Sequence, residues 1–210
     1  MYDFITHTWN TSKGECPHSC SYCYMHRWGK QKPPHFDEKE LKTDLGSGNF
    51  IFVGSSCDMF ANNIPHEWIV KTLQHCVSWY NNKYLFQSKN PERFQYYPEI
   101  SNTKNVVFCT TIETNRWYPE IMKKCPTPQN RSYYMPIGNY ITIEPIMDFD
   151  LKDMITLIKM CRPKQVNIGA DSGHNSLPEP SKEKILELIS ELEKFTVVEK
   201  KTNLNRILKP

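Results

Sequence analysis

Short apolar segments recur along the chain and alternate with longer stretches of mixed polarity. The apolar segments are continuous, and they are rich in β-branched and aromatic residues. They are Asn49–Val53, Lys83–Gln87, Asn105–Cys109, Tyr140–Glu144 and Gln165–Ile168, with a first strand expected within Tyr2–Trp9. Continuous apolar runs of this length are typical of parallel strands buried on both faces. The pattern therefore predicts six parallel strands.

Three of the intervening stretches have the apolar spacing of an amphipathic helix. They are Pro65–Tyr80, which opens with a proline, Leu151–Met160, and Ser181–Phe195, which opens with a serine cap. Weaker helical patterns cover Asp37–Leu45, Pro91–Gln95 and Thr114–Lys124. Strands that alternate with helices indicate βαβ units. We therefore predict an α/β fold, a partial (β/α)6 TIM-like barrel with parallel strands, and keep an open doubly wound sheet as the alternative.

The composition is that of one ordinary globular domain, which we place at residues 1–210 with a C-terminal tail at about 196–210. The 210 residues are 39% hydrophobic and 23% charged, with a net charge of +3. No apolar run has the length of a membrane span, and the first ten residues lack the features of a signal peptide. We therefore expect a cytoplasmic protein without a membrane partner, in which thiols stay reduced.

Three of the eight cysteines crowd into the loop 14–25. Cys16, Cys20 and Cys23 form a C-x3-C-x2-C arrangement. Closely spaced thiolates on one loop suit an iron–sulfur cluster, and three ligands leave one iron of a 4Fe-4S cluster open to a further ligand. Zinc bound by the same cysteines and either His18 or His26 is the alternative.

The cysteine motif, with an aromatic residue before its last cysteine, resembles that of the radical S-adenosylmethionine superfamily. Further segments resemble a phage-associated family with a three-cysteine motif and an unsettled substrate. These segments are Thr8–Asn10, Phe52–Phe60, Phe86–Phe94, Thr110–Asn115, Ile143–Ile146 and Ile168–Gly173. Relatives often carry a glutamate in the last segment, where this chain has Asp171. The resemblance implies an enzyme that cleaves S-adenosyl-L-methionine reductively at the cluster and uses the resulting 5′-deoxyadenosyl radical to abstract hydrogen.

The resemblance also implies a set of cofactor-binding residues at the strand ends. Tyr22 corresponds to the aromatic residue whose backbone meets the adenine. The run Gly54, Ser55 and Ser56 corresponds to the segment that meets the methionyl amino group, and Glu113 to the group that binds the ribose hydroxyls. An ordinary turn between strand and helix remains the alternative for residues 54–56.

Other strand-end residues are candidates by their own chemistry. Glu144 closes an apolar strand, which favours a position in the barrel mouth. Lys89 and Arg93 follow the third strand, where a cation would meet the cofactor carboxylate or a substrate phosphate. Two aspartates, Asp58 and Asp171, occupy equivalent places after the second and sixth strands, and each of these charged groups has a surface charge or helix cap as its alternative.

Two cysteines at strand ends are candidate hydrogen-atom donors to a substrate radical, by similarity to the lyase that repairs spore DNA photoproducts. Of these, Cys57 is the better candidate, because Cys109 is expected to point into the core. We group Cys57 with Asp58 as predicted catalytic residues.

The expected partners include a reductant such as flavodoxin or ferredoxin. The phage resemblance suggests a nucleic acid or nucleotide as substrate. A partner protein that closes the barrel is a further expectation. The segment 26–35 is basic with an aromatic residue among its charges, so it suits either phosphate contacts or a solvated loop. The alternative function is a non-enzymatic binding module stabilised by zinc or by a cluster.

Overall fold

The computed structural model describes residues 2–98 and 103–209, and its centre is a seven-stranded sheet in which every pairing is parallel. The sheet strands are β1 (His7–Trp9), β4 (Phe50–Val53), β5 (Lys83–Ser88), β6 (Val106–Thr111), β7 (Tyr140–Ile143), β8 (Gln165–Ile168) and β9 (Val197–Lys200). Their order in the sheet is β1-β4-β5-β6-β7-β8-β9. A separate antiparallel pair is formed by β2 (Ser12–Lys13) and β3 (His35–Phe36).

Helices connect most of the sheet strands. The α-helices are α1 (His66–Ser78), α2 (Pro119–Met122), α3 (Pro128–Tyr134), α4 (Leu151–Cys161), α5 (Lys182–Glu193) and α6 (Asn205–Leu208). Short 3-10 helices cover Tyr24–Trp28, Glu38–Lys42, Pro91–Tyr96 and Thr202–Leu204. None of the helices in the described ranges is long and apolar enough to cross a membrane.

One face of the sheet packs against the helices and forms the main core. Alternate strand residues such as Ile51, Phe86 and Ile141 are fully buried there, together with Ile69 of α1 and Ile158 of α4. Because successive side chains of a strand point to opposite faces, the intervening residues are turned to the other side of the sheet.

The N-terminal segment fills the other face. Tyr2 and Ile5 pack there with Leu85, Val107 and Cys109 in a smaller buried cluster. Both faces of the sheet are therefore covered, which explains why its strands have continuous apolar sequences.

The parallel strands and their alternation with helices are confirmed. The count of six is wrong, because β9 forms within the stretch that was expected to be only a tail. The sheet does not close into a barrel: in the part of the chain that the structure describes, β1 and β9 are edge strands with one neighbour each. The helix α3 was not predicted, since its polar sequence lacks an apolar stripe.

A cysteine-lined cavity at the carboxyl ends of the strands

A cavity of about 510 Å³ opens at the carboxyl ends of the strands. Its walls hold most of the residues that the sequence analysis selected from distant parts of the chain, namely Cys16, Cys20, Tyr22, Cys23, Gly54, Ser55, Ser56, Cys57, Asp58, Lys89 and Glu144. Parallel strands bring their carboxyl ends to one edge of a sheet, so loops far apart in sequence meet there.

The cysteine loop is attached to the sheet through His18 and Asp58. The buried His18 ring lies 2.8 Å through Nε2 from Asp58 Oδ2, and the same oxygen accepts hydrogen bonds from Ser88 Oγ at 2.9 Å and from the Lys89 amide at 2.8 Å. Burial would raise the pKa of Asp58, but the charge and hydrogen bond of His18 hold it below its usual value. The structure thus gives Asp58 the geometry of a group that positions the loop.

Two cysteines from outside the motif pair with the cysteine loop. Cys57 hydrogen-bonds Cys16, and this contact lowers the pKa of the Cys16 thiol to about 7. Cys125 Sγ lies 3.2 Å from Cys20 Sγ, and the hydrogen bond lowers the pKa of Cys20 to about 6, helped by the charges of Lys89 and His18. Lowered pKa values favour the thiolate, which is the metal-binding form of cysteine, at Cys16 and Cys20. Burial instead raises the pKa of the third motif thiol, Cys23.

The turn after β4 has a backbone conformation that favours glycine. Gly54 has φ +76°, a region that disfavours any residue with a Cβ atom. Asn10 holds the turn from the end of β1, where its Oδ1 accepts hydrogen bonds from Ser55 Oγ at 3.2 Å and from the Ser56 amide at 3.0 Å. The Ser56 hydroxyl is buried and has no hydrogen-bond partner among the described residues.

Behind the cysteine loop lies an ion network centred on the fully buried Glu113. Its carboxylate accepts a hydrogen bond from Arg131 Nη1 at 2.6 Å and a short one from the Tyr22 hydroxyl, and Lys89 Nζ lies at 3.7 Å. Burial would raise the pKa of Glu113, but Arg131 and Lys89 outweigh it and hold it below its usual value. Both carboxylate oxygens of Glu113 accept hydrogen bonds from Arg131 and Tyr22. Glu113 thus lies behind the cavity wall rather than on it.

Residues that follow β7, β8 and β9 also line the cavity. There the Glu144 carboxylate makes a short ion pair with Lys201 and accepts a hydrogen bond from Asn203 Nδ2 at 2.9 Å. A Cβ atom on Gly169 would stand 2.7 Å from Glu144 Oε1, so a side chain at this position would displace the Glu144 carboxylate. Glu144 therefore lines the cavity with Lys201 as its counter-ion.

The residues left open by the sequence analysis have structural contacts. Arg93 donates to the carbonyl oxygens of Ala61 and Ile64, so it fixes the loop after β4. Asp171 lines the cavity and accepts hydrogen bonds from the amides of Gly173 and Asn175, which stabilises a turn. Cys109 is buried, as expected, on the sheet face that the N-terminal segment covers.

A scan against family models finds none that matches this chain, and a search of curated proteins finds no significant match.

The three motif cysteines line one cavity, but their side chains do not converge on one point. Among residues 2–98 and 103–209, no group of three or more histidine, cysteine or acidic side chains is placed to hold a metal ion. The donor set still fits a cluster, because three cysteines of one loop border the same cavity. The unpartnered Ser56 hydroxyl in that cavity also fits a polar organic ligand beside them.

Several residues of the site have no signal in the sequence that would have identified them. Arg131 lies in the unpredicted helix α3, Cys125 was grouped with the scattered buried cysteines, and Lys201 lies in the expected tail. Asn10 belongs to one of the quoted motifs, so its position after the first strand was the only available indication.

Proposed function

We propose that this chain is a radical S-adenosylmethionine enzyme built on a partial, open TIM-like barrel. The observation that carries the proposal is the position of Cys16, Cys20 and Cys23 on the wall of the strand-end cavity. Three cysteine ligands leave one iron of a 4Fe-4S cluster available to a cofactor, and the cavity beside them provides the space.

The cofactor-binding residues would be supplied from both sides of the cysteine loop. Cys16, Cys20 and Cys23 would hold the cluster, and the turn at residues 54–56 would meet the cofactor through its backbone and the free Ser56 hydroxyl. When bound, the cluster would supply an electron to the sulfonium of S-adenosylmethionine, and the cofactor would supply a carbon radical for hydrogen abstraction.

The chain's own residues would orient these groups and supply charge. Lys89 borders the cavity, and its side chain is only 18% exposed, so it would present a partly desolvated cation to a cofactor carboxylate. Glu113 and Arg131 would fix Tyr22 from behind. Cys57 is 1% exposed and hydrogen-bonded to Cys16, so a role as hydrogen-atom donor would require that pair to separate.

The test is anaerobic reconstitution with iron and sulfide, reduction with dithionite, addition of S-adenosylmethionine, and chromatography for 5′-deoxyadenosine. We expect the product from the wild-type chain and none from Cys16→Ala, Cys20→Ala or Cys23→Ala. Cys76→Ala is the matched control, because Cys76 is buried in α1 outside the cavity, and this variant should retain the product.

A second candidate is a zinc-stabilised binding module, and one observation favours it. His18 lines the same cavity as the cysteines, and its ring is hydrogen-bonded to Asp58 in the way that carboxylates orient metal-binding histidines. A colourless protein with stoichiometric zinc and no cleavage activity would establish this module and refute the enzyme.

A further inference from the structure

A basic segment without carboxylates borders the cavity at its first residues, and we call residues 24–35 the basic strap. Arg27, Lys30 and Lys32 lie in it, and all three are exposed. The whole chain has a net charge of +3, so the strap concentrates an excess that equals the net charge of the molecule. The salt bridges among the described residues all use cations outside the strap.

The strap also exposes two large aromatic side chains. Trp28 is 69% exposed and Tyr24 is 47% exposed. Trp28 directly follows Arg27, and Lys30 comes two positions later. An exposed indole between cations offers a flat apolar face together with phosphate-binding charges.

The strap is held in place at both ends. The Tyr24 hydroxyl donates to the Ser55 carbonyl oxygen at 2.7 Å, and the Glu15 amide donates to the Lys32 carbonyl oxygen at 2.8 Å. Beyond Lys32 the chain enters β3, which pairs with β2. The exposed groups therefore stand on a segment tied to the cavity wall.

The strap is continuous with the cavity itself. Tyr24, Met25 and Arg27 line the cavity, while Trp28 is the next residue along the chain. A polymer bound along the strap would thus have one unit at the cavity mouth while neighbouring units contact the cations.

We propose that the basic strap binds a single-stranded nucleic acid and presents one of its nucleotides to the cysteine-lined cavity; as a statement about the substrate, this rests on the proposed function. The cations would contact phosphates and the Trp28 indole would stack on a base. A single strand fits better than a duplex, because a duplex hides the faces of its bases. An acidic peptide would satisfy the cations but offers no ring for the indole.

The experiment is fluorescence anisotropy with a labelled twelve-nucleotide oligothymidylate, using the full chain purified anaerobically and reconstituted. Three phosphate contacts on a single strand predict a slope of about −2 for log affinity against log salt, so affinity should fall about 20-fold between 50 and 200 mM salt. The double variant Lys30→Gln/Lys32→Gln should reduce that fall to about 3-fold, because one contact remains.

Trp28→Ala tests the stacking separately from the charge. We expect affinity to fall about 5-fold or more with the salt slope unchanged, since stacking is not an ionic contact. Two matched controls remove exposed side chains elsewhere. Lys104→Gln/Lys164→Gln removes two exposed lysines that precede β6 and β8, at the amino ends of the strands. Tyr80→Ala removes an aromatic side chain that is 72% exposed. Both controls should bind as the wild type does.

Wild-type binding by the strap variants would overturn the proposal. Tighter binding to phosphatidylglycerol vesicles or to polyglutamate than to the oligonucleotide would overturn it as well, and would assign the strap to a membrane or a protein. The assay contains neither S-adenosylmethionine nor reductant, so its result is independent of cleavage. Strap-dependent binding without 5′-deoxyadenosine formation would refute the enzyme and leave the binding surface standing.

Discussion

The Glu113–Arg131 pair offers a quantitative test of how the cysteine loop is held. Both side chains are 0% exposed and their charged atoms lie 2.6 Å apart. Two unit charges with centres about 4 Å apart interact by about 4 kcal/mol at an effective dielectric constant of about 20. Removing one partner from such a pair leaves a buried charge, and this typically costs about 3–5 kcal/mol.

We therefore expect Arg131→Met to lower the free energy of unfolding by about 3–5 kcal/mol. Methionine keeps much of the volume of the side chain, so the loss reports on the charge and on the hydrogen bonds that Arg131 donates to the Pro126 and Thr111 carbonyl oxygens. Glu113 would retain only Tyr22 and Lys89, and the anchor of the cysteine loop would weaken. A loss of this size is a large fraction of the roughly 5–15 kcal/mol that stabilises a typical domain.

The assay is urea unfolding of the metal-free chain, followed by circular dichroism under an anaerobic reductant. Lys194→Met is the control, because its salt bridge with Glu191 is exposed, and it should cost less than about 1 kcal/mol. The double variant Arg131→Met/Glu113→Gln should lose less than the sum of its single variants, since a neutral glutamine needs no counter-charge. A loss below about 1 kcal/mol for Arg131→Met, or strictly additive losses, would refute the reasoning.

Three further outcomes follow from the same geometry. The pKa of Glu113 is held below its usual 4.5. The contribution of its ionised carboxylate to stability is therefore present above about pH 4.5 and is lost as the pH falls through the lower pKa of the folded state. Urea titrations from about pH 7 to about pH 3 should show a steeper decline in the unfolding free energy for the wild type than for Glu113→Gln. Gly54→Ala should lower the unfolding free energy by more than Gly48→Ala does, because both glycines have positive φ but only a Cβ at Gly54 would meet a neighbour, 3.3 Å away on Met59, and equal losses in thermal unfolding would contradict this. Asn10→Ala should cost about 1–3 kcal/mol in the same assay, because the Ser56 amide loses its acceptor, and a change within about 0.5 kcal/mol would mean that the turn is held by other contacts.

Part of the fold follows from local sequence alone. The strands β4 to β8 were predicted because each is a short apolar run, and the helices α1, α4 and α5 because their apolar residues repeat at helical spacing. The strand β9 was missed because its sequence, Val197–Lys200, has two valines followed by two charged residues, with neither alternation nor a continuous apolar run, and its side chains are mostly exposed. This segment is a strand because its backbone pairs with β8, and its own sequence does not predict that pairing.

The candidate site, like the fold, was predictable only in part from the sequence. The sequence by itself determined that three cysteines share one loop and that polar residues follow several parallel strands, so a cluster of these groups at one sheet edge could be predicted. Only the tertiary structure decided which groups face the cavity and which stand behind it. Glu113 and Glu144 look alike in sequence, since each carboxylate ends an apolar strand. Arg131 from an unpredicted helix forms a buried ion pair with Glu113, while Lys201 and Asn203 hold Glu144 on the cavity wall. Such partners are distant in the chain, and the energy of a buried charge depends on them rather than on its sequence neighbours.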